Sequence, residues 1–354
     1  LYGLRKLNLN NQYGDPTQMR EYVSFKLMEY MGVPTPAYSF MYVTVNGEEW
    51  GLYLGVENIE EPFLRRVFGD ASGDLYKPEG TGSDLKWISG NIEDYPGLGL
   101  QTNIGRTDQS AMIKFLDVIN HGGDLEEVMD VDEMLRYFAA NTALVNLDSY
   151  QGAMKHNYYL YEKDGVFSII PWDYNMSFGG FGVGMLGRPQ GRGWRDESAN
   201  WFNDANIHYS VKTPVYGTAL EDRPLLNALL SVDEYRRRYE QYLEQIATEF
   251  FTEENMMRIM EPAYVLVLPY VEKDPKKFYT TQQFTEGIYG EYSLPKFAER
   301  RAESILAQLS GQLVVEAKTR SFSPKPAQAQ PPQGQDGRPQ IPPGMNPNPG
   351  VGAQ

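Results

Sequence analysis

Three side chains are of the types, and at the spacing, that oxygen-based metal and phosphate chemistry requires: Asp148, Asn157 and Asp173. Asp148 closes a helix-like segment, Asn157 opens a strand after His156, and Asp173 follows a second strand between Trp172 and Tyr174. Two carboxylates and a carboxamide around one short hairpin are hard oxygen donors. Such donors can hold magnesium on the phosphates of a nucleotide. Singly, each has an ordinary explanation as a helix-end residue, a strand-edge amide or an Asx turn. An acid at a helix C-terminus is, however, opposed by the helix dipole. The three together, in this order, read as a site.

A second constellation pairs Lys6 with Glu21. A cation on a strand and an acid on the following helix can hold nucleotide phosphates in register; the plain alternative is two solvated surface residues. Arg5 shares a strand face with Leu7 and Leu9, which turns Lys6 the other way, toward a cleft. Either Tyr76 or Trp172 could stack on a purine, although core packing is the commoner role of rings in a chain with 25 Tyr. His156 is a candidate to orient the loop bearing Asp148.

The elements that must position these groups follow from pattern. Leu4 to Asn10 alternates as a strand. Asp15 and Pro16 predict the N-cap and first position of a helix running to about Met31, where Gly32 and Pro34 stop it. Tyr38 to Val45 and Glu49 to Glu57 flank Asn46-Gly47, a strong hairpin signal. Residues 62 to 110 are mixed, with Gly- and Asp-rich loops. Val131 to about Leu147 places Leu135, Phe138, Thr142 and Val145 on one helical face. A strand–turn–strand spans 157 to 170 and turns at Lys163, Asp164 and Gly165. A glycine-rich loop follows (Gly179, Gly180, Gly182, Gly184, Gly187), suited to a lid or a substrate-facing loop. Ser231 with Glu234 predicts a capping box before a helix to about Phe251, and Thr252 caps the next. Ala298, Ala302, Ile305 and Leu309 have core spacing in a last helix. From about Ser321 the chain is Pro-, Gln- and Gly-rich and is expected to remain disordered.

Composition narrows the function classes. With 354 residues the chain can bury a large core. A formal charge of −15 and the lack of any long Lys/Arg run disfavour nucleic acid and favour a basic protein partner. The absence of cysteine excludes disulfides, thiol catalysis and Cys-ligated zinc. His121, His156 and His208 lie too far apart in sequence for a zinc motif. No apolar run approaches the roughly 18 residues of a membrane span. The chain opens at Leu1 in strand-like sequence and is read as a fragment.

At these residues the sequence resembles the spore-coat protein H (CotH) kinase family. The matching stretches are Tyr2 to Asn11, Met19 to Glu21, Met31 to Pro34, Asn46 to Tyr53, Gly73 to Lys77, Asn146 to Asp148, His156 to Tyr161 and Pro171 to Asp173. The resemblance implies an α+β, two-lobed atypical protein kinase-like fold, its N-lobe truncated at the start and its C-lobe mostly helical. Residues 1–62 would form the partial N-lobe, 63–311 the remainder of the domain and 312–354 the tail. It implies transfer of the γ-phosphoryl of ATP, with Mg²⁺ or Mn²⁺, to Ser or Thr of coat, secreted or cell-surface proteins. Asp148 then matches the catalytic-loop aspartate, Asp173 the metal-binding aspartate and Asn157 the amide ligand, with Lys6 and Glu21 as the N-lobe ion pair. Two departures stand out. Asp148 and Asn157 are nine positions apart, wider than in the usual H-R-D-x-x-x-x-N loop, and no Gly-rich phosphate loop is present. Rival readings are a non-catalytic coat protein or adhesin on the same fold, and a carbohydrate-active enzyme using Asp148 and Asp173 as an acid/base pair.

Overall fold

Among the residues described by this computed structural model, 5–181 and 201–315, two small antiparallel sheets and ten α-helices make an α+β architecture. Strand β1 (Leu7–Asn10) leads to helix α1 (Arg20–Tyr30), and a hairpin of β2 (Tyr38–Val45) and β3 (Glu48–Glu57) completes a sheet of order β1-β3-β2. The hairpin turns where expected: Asn46 and Gly47 both have positive φ, the two-residue turn whose twist matches the strands. Gly51, at φ +105°, is required for a second reason. A Cβ there would lie 2.1 Å from the Asp274 carboxylate, which accepts the Leu52 N–H at 2.8 Å.

Helix α1 starts four residues later than the Asp15-Pro16 signal predicts. Asp15 instead folds the loop: its carboxylate accepts the Thr17 N–H and hydroxyl and, through the other oxygen, the Arg20 N–H that opens the helix. Gln18 at φ 51° keeps the intervening residues out of helical geometry.

Helix α2 (Glu61–Phe68) connects to the second sheet, in which β4 (Asp74–Pro78), β5 (Leu98–Leu100), β6 (Tyr158–Lys163) and β7 (Val166–Pro171) take the order β5-β4-β6-β7. The β6–β7 turn at Asp164 and Gly165 again has two positive φ angles. Both faces of this sheet are covered. Leu75, Tyr159, Tyr161 and Ile170 meet Phe63 and Leu64 of α2 on one side, while Tyr76, Tyr158, Leu160, Phe167 and Ile169 join the main core on the other. Period-two alternation thus serves two cores, which is why these strands read as nearly continuous apolar runs.

The main core also receives α3 (Ser110–His121) and α4 (Val131–Ala143). Helix α4 is N-capped by Asp130, which accepts the Glu133 N–H, and it ends four residues before the predicted Leu147. Val145 turns left-handed there (φ 49°), and the Asn146 N–H closes onto the Asn141 carbonyl. A β-branched residue in that region is strained.

The remaining helices are α5 (Asp204–Ile207), α6 (Pro224–Ser231), α7 (Asp233–Gln245), α8 (Glu253–Lys273), α9 (Thr281–Tyr289) and α10 (Leu294–Leu309). The capping box expected from Ser231 is absent. Ser231 closes α6 and donates back to the Asn227 carbonyl, so α7 starts after an extended Val232. Thr252 does cap α8, accepting the Asn255 N–H. The fully buried Arg301 of α10 donates to the carbonyls of Ile207, Tyr209 and Thr142. Its charge meets the C-terminal end of α4, where the dipole favours a cation. That contact anchors the turn from which Asp148 is presented. The expectations for Leu4, for Gly182, Gly184 and Gly187, and for the tail from Ser321 lie outside the described residues.

Candidate functional site

The left-handed turn at Val145 sends the chain back over the end of α4, and Asn146 to Gln151 form a loop with a buried polar network. Asn141 donates its carboxamide N–H to the Ser149 hydroxyl, and Ser149 in turn donates to the Asn146 carbonyl. This fixes Asp148, whose side chain is 14% exposed. One oxygen lies 2.6 Å from His156 Nε2; the other accepts from the Asn157 carboxamide at 3.2 Å, and Asn157 also donates to the Asp148 carbonyl at 2.9 Å. His156 and Asn157 therefore hold Asp148 from two sides. The hydrogen bond to Asp148 raises the His156 pKa against the opposing effect of burial.

Strand register brings in Asp173. Tyr158 pairs with Pro171, so the residues just outside the strands, Asn157 and Trp172-Asp173, flank the same end of the hairpin. Asn157 (φ 57°) and Asp173 (φ 54°) are both left-handed, a conformation these short polar residues tolerate. Burial raises the pKa of Asp173, and the charge of Asp148 raises it further; His156 and Lys77 pull the other way.

Glu21, in the first turn of α1 and 3% exposed, reaches the same place. It accepts from Asn10 at 2.7 Å and from the Tyr174 N–H at 3.1 Å, tying the first sheet to the segment after β7. Its pKa is pushed up to about 8, chiefly by burial and then by the charge of Asp173. Asp173 is thus within electrostatic reach of both Asp148 and Glu21, the carboxamides of Asn157 and Asn10 each bond one of these acids, and His156 and Lys77 oppose the accumulated negative charge.

Two expectations need correction. Lys6 does not pair with Glu21. Its ammonium lies 2.6 Å from Glu60 on a side chain 72% exposed, and Arg5 likewise meets Glu61. Register explains this: Leu7 sits opposite Glu57, so residues 5 and 6 face the start of α2. Glu21 instead meets Asn10, four residues along the strand and about 13 Å away. Tyr76 is fully buried, its ring 6.2 Å from that of Phe167, and so presents no face to a nucleotide. Trp172 is half-buried and edge-on to Tyr159 at 5.6 Å, and the Lys77 ammonium lies 5.9 Å over the Tyr159 ring. Lys77 and Asn10 were not singled out from sequence. The alternation of β4 carried the signal for Lys77: with Tyr76 turned inward, its neighbour must take the face that leads to Tyr159.

The donor set is entirely hard oxygen, crowded and partly buried, which fits a divalent ion of the magnesium type. Among the described residues no group of three or more His, Asp or Glu could hold a metal ion. Magnesium characteristically takes one or two carboxylates and completes its shell with phosphates and water. A cavity of about 650 Å³ lies at the other end of the second sheet, lined by Asp74, Arg106, Glu162 and Lys163, and does not include Asp148 or Asp173. No helix among the described residues is long and apolar enough to cross a membrane.

The sequence model of the family described as CotH kinase protein matches residues 1–305. Inner spore coat protein H of Bacillus subtilis (strain 168) is 27% identical over 300 residues, covering 80% of this chain and 73% of that protein. An inner spore coat protein H-like protein of the same organism is 35% identical over 78 residues, 22% of this chain and 25% of the relative.

Proposed function

This chain belongs to the CotH kinase protein family, and we propose that it is an atypical, two-lobed protein kinase transferring the γ-phosphoryl of ATP to a Ser or Thr hydroxyl of a coat or surface protein. The observation that carries this reading is that Asp173 lies within electrostatic reach of both Asp148 and Glu21, three acids from separate segments, with Asn157 bonded to Asp148. Asp173 and the carboxamide oxygen of Asn157 would hold Mg²⁺ or Mn²⁺, which when bound neutralises phosphate charge. Asp148, fixed by His156 and Asn157, orients the substrate hydroxyl and receives its proton. Lys77 supplies the positive charge that the sequence had assigned to Lys6, and Trp172 offers the ring for the purine. Little covalent work is left to the protein, so positioning and electrostatics supply most of the rate.

The acidic chain favours a basic, Ser/Thr-rich substrate, and the relative named as an inner spore coat protein suggests the spore coat or cell surface as its place. The test is mass spectrometry of a Ser-rich basic peptide incubated with the protein, ATP and Mg²⁺. Asp148→Asn and Asp173→Ala are each expected to lower transfer by at least about 10²-fold. Transfer at the unsubstituted rate by either variant removes its assigned role. Failure of the unsubstituted protein to bind Mg²⁺-ATP would favour a purely structural coat protein on the same scaffold.

A further inference from the structure

Each sheet has two edges, and three of the four are short or already occupied. Strand β1 offers four residues and β5 three. The outer edge of β7 is taken: Phe167 donates to the Val128 carbonyl and accepts the Asp130 N–H, and Ile169 donates to the Glu133 carboxylate. Strand β2 differs. It is eight residues long, Tyr-Ser-Phe-Met-Tyr-Val-Thr-Val, with no charge, proline or glycine. Among the described residues no backbone group outside β3 bonds the main chain of Tyr38 to Val45. Natural sheets blunt such an edge with lysine, proline or a cover, because it is a template for a further strand. Here the only irregularity is a register shift between Val43 and Thr44, which leaves Tyr38 to Val43 regular. We propose that β2 is a dimer interface, pairing antiparallel with β2 of a second copy of this chain so that two three-stranded sheets become one of six.

The helices beside the edge select a second copy over any other extended segment. Alternation puts Tyr38, Phe40 and Tyr42 on one face. Tyr38 and Phe40 pack against Tyr22 and Phe25 of α1. Tyr42 meets Tyr270 of α8 at 5.5 Å, and the Lys273 ammonium lies 4.1 Å and 5.1 Å over the two rings. Both helices therefore cover the same face of the sheet. One turn before Tyr270, which is 39% exposed, Leu266 is 67% exposed; side chains four apart share a helix face. An apolar stripe thus continues from the strand onto α8.

An isolated peptide strand would satisfy the edge and leave that stripe in water. A second copy covers both. A two-fold axis normal to the sheet keeps the helices of both copies on one side. Antiparallel pairing brings the Tyr42 end of one strand to the Tyr38 end of the other. The Leu266–Tyr270 stripe of each copy is thereby carried toward α1 of the other, where Tyr22 and Lys26 stand beside Tyr38. Residues opposed across such an axis share a face, so the aromatic positions meet one another, as do Ser39, Met41 and Val43. With no charge in the strand, like charges are not set opposite each other, a hazard elsewhere for a chain of net charge −15 meeting itself.

The test is sedimentation equilibrium of the full chain across the micromolar range, without nucleotide and so independent of the kinase reading. Amide hydrogen exchange is measured at the two ends of that range. The mass should rise from one chain toward two, with β2 amides protected only at the higher concentration. Ser39→Lys on the strand and Leu266→Asp on α8 should each weaken dimerisation by about tenfold or more. Ile104→Asp, at a residue 72% exposed in the loop before α3, should not. All three side chains are exposed, so equal melting temperatures at the dilute end check that the variants fold. The proposal is overturned if the chain stays monomeric throughout, if it dimerises without protecting β2, or if either interface variant dimerises undiminished. It is also overturned if a Ser-rich basic peptide protects β2 of a monomeric chain, which would give the edge to a polypeptide substrate.

Discussion

Asp15 and Glu21 are buried acids six residues apart on one segment, and they are treated in opposite ways. Asp15 is completely enclosed, accepts three hydrogen bonds and lies 3.7 Å from the equally buried Arg20 guanidinium. Glu21 accepts two neutral hydrogen bonds and faces a second carboxylate, Asp173. At the first corner the protein supplies its own countercharge, and the acid builds the loop. At the second the countercharge is incomplete, and burial with like charge pushes a carboxyl to about 8. A fold keeps such a cluster at a cost in stability, which is intelligible if a cation arrives with the substrate.

The sharpest way to break this comparison is to remove one member from each corner. Asp15→Ala leaves Arg20 buried without its partner and three donors unmet, and should cost about 3–5 kcal/mol in urea unfolding. Asp173→Asn removes a repelled charge and should instead stabilise the protein, on the order of 1 kcal/mol at neutral pH. The unsubstituted protein should gain melting temperature with Mg²⁺ and nucleotide, and Asp173→Asn should not. Equal losses at the two corners would mean that both acids are structural.

Acidity sharpens the contrast further. Glu21 and Glu133 both have native pKa values near 8, against 4.5 for an ordinary glutamate; burial is the leading cause in each. Between these values the native state holds protons that the unfolded chain has lost. Stability should therefore fall as pH rises from about 4.5 to about 8. Urea midpoints measured in chelator across that window check the sign. Glu133→Gln and Glu21→Gln should each flatten the slope, and only at Glu21 should Mg²⁺ with nucleotide do the same to the unsubstituted protein.

Local signals in the chain were legible where one residue type meets one geometry. Asn46-Gly47 and Asp164-Gly165 turn their hairpins because those pairs accept positive φ, and Thr252 caps because its hydroxyl accepts the Asn255 N–H three residues on. Asp148, Asn157 and Asp173 could be assembled on paper because one hairpin register sets two of them side by side. Pairings that depend on which strands are neighbours could not be read. Lys6 looked free to meet Glu21 until the register with β3 put Glu60 beside it. Tyr76 read as an available ring because nothing in a five-residue strand says that both sheet faces are covered. Asp15 failed as an N-cap because its side chain found Thr17 first.

The smallest expected effect tests that register directly. The Lys6–Glu60 pair is exposed on the lysine side, so Lys6→Ala should change stability by less than about 1 kcal/mol. It should leave nucleotide affinity unaltered. Lys77 is equally an ion-paired surface lysine by its contact with Glu79 at 3.0 Å, and Lys77→Ala should be just as mild in a urea melt. The two should part in nucleotide titrations, because only Lys77 acts on the Asp173 carboxyl. Weakened Mg²⁺-ATP binding in Lys77→Ala with unchanged binding in Lys6→Ala would place the phosphate cation on β4. The reverse outcome would return it to β1 and require the first sheet to rearrange when nucleotide binds.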